Sequence, residues 1–331
     1  MPNKSICELQ DRDRIENAVY LLDQKQVRTT RDGKPYLDAR LRDQSGMIQA
    51  RLWDLPLGLD RRLEEGGGVQ VSGEVVTYQG RLQIKVAAIE PCAINPQDFL
   101  PASSLSTATA QSQLQAYIGS VTDSWLRRLL EQIFGDPAFL SRFLEAPAAK
   151  EYHHACVGGL AEHTLAVAGL VETIVPRYPD LSRDLLLTGA LLHDIGKVET
   201  YTWSTALGYS DEGELLGHIH LGVQRVEHAV AALPGFPVEL HQFVAHAILS
   251  HHGEEENGSP VRPKTLEAVA LHYLDTLDAH LRGFCDHLGR QQDQKSVWSE
   301  RSTMFGSRLY QGGTRTSPRQ EQHGYPHNDF A

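Results

Sequence analysis

The 331-residue chain has no run approaching the roughly 20 consecutive apolar residues that a helix needs to cross a bilayer. Its first stretch, MPNKSICELQDRDRIENA, also lacks the apolar segment of a secretion signal. The expected location is therefore the cytoplasm, with no membrane partner. Cysteine is scarce: Cys7, Cys92, Cys156 and Cys285 lie far apart and form no CxxC pair, which excludes a disulfide framework and a thiolate zinc site. An excess of positive charge is missing too. Lys and Arg number 31 against 42 Asp and Glu, a formal net charge of -11, so the basic coat typical of nucleic-acid binders is absent. The deficit is uneven. Up to residue 95 the two signs balance, and the acidic surplus falls in the remainder, where it suits a cation-binding site. A nucleic acid would meet the first region with less repulsion.

What is present points to two domains. The hydrophobic fraction of 41% is that of an ordinary globular protein. From about Ala18 to Glu90 apolar and polar residues alternate with a period near two, in YLDARLRDQSG, MIQARLWDL and VQVSGEVVTYQGRLQIKVAAIE. Turn chemistry falls at Asp32-Gly33, Ser45-Gly46 and Gln79-Gly80. Several short strands in so few residues predict a small all-β barrel of the oligonucleotide-binding (OB) type over residues 1–95, and an SH3-like barrel has the same strand pattern. The segment 96–112, PQDFLPASSLSTATAQS, is rich in Ser, Thr, Ala and Pro and reads as a linker. Beyond it the apolar period changes to 3.6, which predicts an all-α helical bundle over 113–311. The last segment, 312–331, is polar and Gly- and Pro-rich and is expected to be disordered.

The helical half places ionisable residues where its period predicts burial. His193-Asp194 ends the apolar helix DLLLTGALLHDIGK. His163 lies between Leu160 and Val167, His218 follows Leu215-Leu216-Gly217, His251 and His252 end a helix, and Asp275 sits among Leu271, Leu274 and Leu277. An unpaired buried ionisable group is expensive, so six of them require a common counter-ion, and a metal ion is the economical one. Several imidazoles with two carboxylates suit Mn, Fe, Co, Ni or Zn better than Ca. Asp194 is the candidate bridge between two ions.

The order H…HD…H…H…D resembles the HD-domain phosphohydrolase superfamily. The strings YHHACVGGLAEHT, ALLHDIGK, LLGHI, ILSHHG, GSPVRPKTLEA and LHYLDTLDA are similar to those of the YhaM-type 3′-to-5′ exoribonucleases, which also carry an N-terminal OB barrel. That resemblance spans nearly the whole chain except the linker and tail. It implies hydrolysis of single-stranded RNA, with DNA as a second polymer, from the 3′ end to nucleoside 5′-monophosphates, using two divalent ions, Mn favoured and Mg also open. It implies His163, His193, Asp194 and Asp275 around one ion and Asp194, His218 and His251 around a second, with His251 preferred to His252 and Asp275 to Asp278.

Lys197 follows Asp194 by three residues, on the same helical face, where it can meet a phosphate oxygen beside the catalytic Asp194. Glu162 and His246 are candidate supports for the ligands, with surface or core packing the plainer assignment. Arg262 and Lys264 are candidate backbone contacts, although such side chains are usually just solvated. On the barrel, Tyr36, Trp53 and Tyr78 interleave with Arg40 and Arg51, a pattern that holds single strands by stacking and charge. Trp53 itself is read first as barrel core. His154 and the other histidines are assigned no task. Two further functions fit the same residues: an HD phosphodiesterase acting on a small nucleotide, and a non-catalytic single-strand-binding replication or regulatory factor. A homo-oligomer is compatible with the sequence, which shows no apolar stripe that decides it.

Overall fold

A computed structural model describes residues 4–30, 32–150, 154–289 and 296–312. The expected disordered tail lies outside the described residues from 313 onward. The chain divides into two compact units, Met1–Ala279 and His280–Ala331.

The first unit opens with strands β1 (Arg14–Thr29), β2 (Pro35–Asp43), β3 (Gly46–Leu52), β4 (Gly68–Tyr78) and β5 (Arg81–Cys92), with a short helix α1 (Leu59–Arg62) between β3 and β4. They close into a barrel in the order β1-β2-β3-β5-β4, antiparallel except for the β3–β5 pair, which is the OB architecture. Closure leaves no free edge, because the 16-residue β1 pairs with β2 along one part and with β4 along another. The period-two alternation is what fills the interior: Leu37, Ala39 and Leu41 of β2, Ile48, Ala50 and Leu52 of β3, and Val69, Val71 and Val75 of β4 all point inward. The β4–β5 hairpin turns at Gln79-Gly80, both with positive φ (51° and 77°), the backbone that matches strand twist in a two-residue turn.

The helices are α2 (Thr107–Ser120), α3 (Ser124–Phe134), α4 (Pro137–Glu145), α5 (Gly159–Ile174), α6 (Arg183–Leu192), α7 (Lys197–Thr200), α8 (Asp211–Ala231), α9 (Val238–Ser250) and α10 (Leu266–Gly289). Helix α2 starts inside the stretch read as linker up to 112. The Ser106 hydroxyl caps it by accepting the Thr109 amide, a local signal that outweighed the Ser- and Thr-rich composition. The two-residue strands β6 (Tyr201–Thr202) and β7 (Gly208–Tyr209) interrupt the helical half. Its core runs from Leu114 and Leu126 through Leu187 and Leu191 to Ile248 and Leu271. No described helix is long and apolar enough to cross a membrane. The second unit, by itself, comprises the end of α10 and a hairpin of β8 (Trp298–Arg301) and β9 (Arg308–Tyr310), with the Phe305 ring against Phe284.

One carboxylate fastens the start of α6. Asp184 accepts the Thr122 hydroxyl at 2.6 Å and the Thr122 and Asp123 amides at 2.7 Å each. Burial works against its ionisation, but the Thr122 hydroxyl, the two amides and Arg183 outweigh it and hold its pKa below the ordinary value. Asp184→Asn is therefore expected to cost about 2 kcal/mol at pH 7, the scale of charge-assisted hydrogen bonds. Because the folded pKa is depressed, this contribution is present above the unfolded pKa of about 3.9 and fades as pH falls through the lower folded value. Urea denaturation of both proteins at pH 7 and at acid pH checks it. A gap that persists unchanged in acid would rule the carboxylate out as its source.

Candidate metal centre

Five helices bring the histidines and aspartates to one buried point. His163 lies in the second turn of α5, His193 caps α6, Asp194 follows in the turn to α7, and His218 stands on α8 just past a break at Gly217 (φ 73°). His251 caps α9, with His252 next in the turn, and Asp275 and Asp278 lie on α10. Gly196 lets this assembly close: a Cβ there would overlap the His218 carbonyl oxygen and stand 2.5 Å from the Gly222 amide.

The ligand atoms form two groups joined by Asp194. In the first, His163 Nε2 lies 3.2 Å from His193 Nε2, 3.1 Å from Asp275 Oδ1 and 3.5 Å from Asp194 Oδ2, while His193 Nε2 is 3.3 Å from the same Asp194 oxygen. In the second, Asp194 Oδ1 is 3.5 Å from His218 Nε2 and 3.6 Å from His251 Nε2, and His252 joins these two histidines. The tautomers follow from the far side of each ring, since a carbonyl or carboxylate can only accept. His193 Nδ1 donates to the Ala190 carbonyl at 2.9 Å, His251 Nδ1 to the Ile248 carbonyl at 2.7 Å, His252 Nδ1 to the Asn257 carbonyl at 2.9 Å, and His163 Nδ1 to Asp278 Oδ2 at 2.7 Å. In each neutral ring the lone pair is then on Nε2, and for His163, His193 and His251 it faces the cluster.

The charge pattern calls for a cation. Asp194 Oδ1, His218 Nε2 and His251 Nε2 are buried without a hydrogen-bond partner among the described residues. Lone pairs that face one another at these distances repel unless something positive lies between them. Burial lowers the proton affinity of His163, but Asp275 and Asp278 outweigh it and raise its pKa to about 10, so without metal the ring carries a second proton on Nε2, which a bound cation would displace. Burial likewise opposes ionisation of Asp194, and Lys197 and His193 keep it ionised, well below the usual range. His218 is pushed well down and His252 to about 4, chiefly by burial, leaving both neutral, as metal binding requires. The donor set therefore fits divalent ions of the Mn-to-Zn series.

Lys197 is buried beside the cluster, its Nζ donating to Asp194 Oδ2 at 2.6 Å. The other candidates lie elsewhere. His246 accepts the Lys264 amide and lines a shallow surface cavity of about 570 Å³ with Phe243, Lys264 and Thr265. Arg262 pairs with Glu254 at 2.7 Å, and both are exposed. Glu162 faces Ser103 and His154. Asp278 and His154, given no role from sequence, stand directly behind His163. A carboxylate three residues after Asp275 was the available signal for the first, and nothing periodic marked the second.

On the barrel the assignment of Trp53 to the core is corrected. It is 40% exposed and stacks on Tyr36 with ring centroids 4.7 Å apart, because it follows the last residue of β3 and escapes the strand alternation. Tyr78 is 53% exposed with the Arg51 guanidinium 5.7 Å from its ring centroid. Arg40 and Arg51 lie on the outer side of their strands and are each paired, with Asp23 and Asp38, so they offer a phosphate less net charge than the sequence suggests.

Residues 160–280 match the HD domain, and residues 24–91 match the OB-fold nucleic acid binding domain. Over 254 residues, 76% of this chain, the sequence is 37% identical to the 3'-5' exoribonuclease YhaM of Bacillus pumilus (strain SAFR-032), covering 80% of that protein. Identity to the 3'-5' exoribonuclease YhaM of Bacillus subtilis (strain 168) is also 37%, with the same coverage of both chains. The HD domain of the Listeria monocytogenes phosphodiesterase PgpH overlaps 48% of this chain and 84% of its own at 17% identity, with a TM-score of 0.31. With this identity over most of its length, an OB barrel and an HD domain, the chain belongs to the YhaM family of metal-dependent phosphodiester hydrolases.

Proposed function

We propose that the protein is a 3′-to-5′ exonuclease that removes nucleoside 5′-monophosphates from single-stranded RNA, with two divalent ions at the Asp194 centre. The observation that carries this reading is the convergence of the Nε2 atoms of His163, His193, His218 and His251 on the two oxygens of one buried carboxylate. The first ion would be held by His163, His193, Asp194 and Asp275, and the second by Asp194, His218, His251 and His252. His252 joins His251 in this set, because it offers a ligand atom within 4.8 Å of those of His218 and His251 while its Nδ1 is engaged by the Asn257 carbonyl. Divalent ions bound there supply Lewis acidity toward a phosphoryl oxygen and lower the pKa of water. Water adds to phosphorus, the bond to the 3′ oxygen breaks with that oxygen taking up a proton, and the chain is left with a new 3′ hydroxyl. Lys197 supplies a fixed positive charge beside Asp194, where a non-bridging phosphate oxygen gains negative charge.

The division of labour proposed is a strand-holding domain over 1–95 and a hydrolytic domain that begins with α2 at Thr107. The Tyr36–Trp53 stack and Tyr78 give successive bases an aromatic face without sequence preference. Trp53→Ala is expected to raise the dissociation constant for a single-stranded oligonucleotide by about tenfold, within the range of one lost stacking contact. Cleavage of a dinucleotide too short to reach the barrel should be unaffected. Fluorescence anisotropy with the oligonucleotide and a cleavage assay on the dinucleotide check this, and equal losses on the two would disconnect the barrel from substrate binding.

The test of the activity is a time course on 5′-labelled single-stranded RNA with Mn, with and without chelator. A ladder shortening from the 3′ end that disappears with chelator is the expected result. Intact RNA, with hydrolysis of a small phosphodiester instead, would move the reading to a small-nucleotide phosphodiesterase. Binding with no hydrolysis of either would leave a single-strand-binding factor.

A further inference from the structure

Behind His163, on the side away from the ligand cluster, lies a chain of polar contacts that the hydrolytic reading does not use. His163 Nδ1 and His154 Nε2 both donate to Asp278 Oδ2, at 2.7 and 3.0 Å. His154 Nδ1 lies 3.5 Å from Glu162 Oε2, and the Ser103 hydroxyl donates to that same oxygen at 2.7 Å. Ser103 belongs to the segment between barrel and helices, and its backbone is pinned in turn: Val157 donates to the Pro101 carbonyl and Ser103 to the Val157 carbonyl, both at 2.8 Å.

The placement of His154 is costly, which marks it as held for a purpose. Its φ of 52° is left-handed, unusual for a residue with a Cβ, and its side chain is 97% buried. Its carbonyl accepts the Cys156 amide at 2.9 Å and the Ala148 amide at 3.2 Å, and a Cβ on Gly159 would overlap that carbonyl. The backbone of His154 is thus held in place, and its ring is buried against Asp278. A carboxylate held from two sides fixes the His163 tautomer and makes its Nε2 a stronger donor.

We propose that His154 is a positioning residue for the metal centre: through Asp278 it aims His163 at the ion, and through Glu162 and Ser103 it ties ion affinity to the segment between barrel and helices. This rests on the assignment of His163 as a ligand under the proposed function. The relay acts on the affinity of the centre and touches neither substrate nor the reacting atoms.

The test is calorimetric titration of Mn(II) into metal-free, full-length wild type, His154→Asn, Glu162→Gln and Ser103→Ala, beside thermal melts of the same metal-free proteins. Asn tolerates a left-handed backbone but cannot reach both carboxylates. His154→Asn is expected to weaken Mn binding by about 10- to 100-fold, the range for partners behind a ligand, in a metal-free protein that still melts cooperatively. Glu162→Gln and Ser103→Ala should weaken it in the same direction and less. Mn binding by folded His154→Asn equal to wild type overturns the relay. Should His154→Asn not fold, wild-type Mn affinity in both other variants overturns it instead. Failure of the wild type itself to take up Mn brings down the proposed centre and the relay with it, and so is told apart from failure of the relay alone.

Discussion

Asp194→Asn is expected to lower the rate of RNA hydrolysis by about a thousandfold or more and to lower bound metal with it, in a protein that still folds. The magnitude follows from position. Oδ2 faces His163, His193 and Lys197, and Oδ1 faces His218 and His251, so this carboxylate lies against both ligand groups. Loss of ion-based charge stabilisation is worth several kcal/mol, and about 1.4 kcal/mol corresponds to each tenfold in rate. Asparagine keeps the shape, so packing is preserved while the negative charge is lost; alanine would also strand the buried Lys197 ammonium without its partner. Metal content by atomic emission and single-turnover cleavage of labelled RNA measure the two effects together. A variant that hydrolyses RNA at the wild-type rate would remove Asp194 from the centre.

The second large effect is expected from a residue with no functional group. Gly196→Ala should destabilise the protein by about 3 kcal/mol or more, toward or beyond the upper end for an added methyl in a packed site. Gly196 has an ordinary helical backbone (φ −66°, ψ −13°), so conformational freedom is not its reason for being glycine. Its reason is contact. The added Cβ would collide with the backbone of α8 at His218 and Gly222, and backbone cannot move aside as a flexible side chain can. Relief requires α8 to shift, and α8 carries His218, so metal affinity and activity should fall with stability. Urea denaturation and Mn titration read the two losses. A stable Gly196→Ala protein with wild-type affinity would mean that α7 and α8 do not pack as closely as this geometry requires.

The residues that sequence alone identified and those it left open divide along physical lines. His163, His193, Asp194, His218, His251 and Asp275 were conspicuous because an ionisable residue on an apolar face violates the pattern that surrounds it. Asp275 and Asp278 sit three apart on one helical face, so periodicity treats them alike; the His163 ring separates them by showing Nε2 to one and Nδ1 to the other. His251 and His252 stand where α9 ends and its period stops, so the pattern had no means of ranking two adjacent side chains. Trp53 was misassigned for the same reason at the end of β3. His154 was invisible, since it lies in a loop with left-handed backbone where no period operates.

By itself, then, the sequence determined the barrel and the helices, through periods of two and 3.6 that follow from backbone geometry and hold whatever the chain does at long range. It also determined which side chains needed a counter-ion, because burial of charge is costly in any fold. The tertiary structure decided the rest. Which nitrogen of each ring faces the cluster, and which carboxylate lies between its two groups of ligand atoms, depend on groups from α5 to α10 that are distant along the chain, and which aromatics stay exposed depends on how the barrel strands end and pair. A hydrogen bond or ligand direction is fixed within a few tenths of an ångström by the partner opposite, and that partner is supplied only when the helices pack.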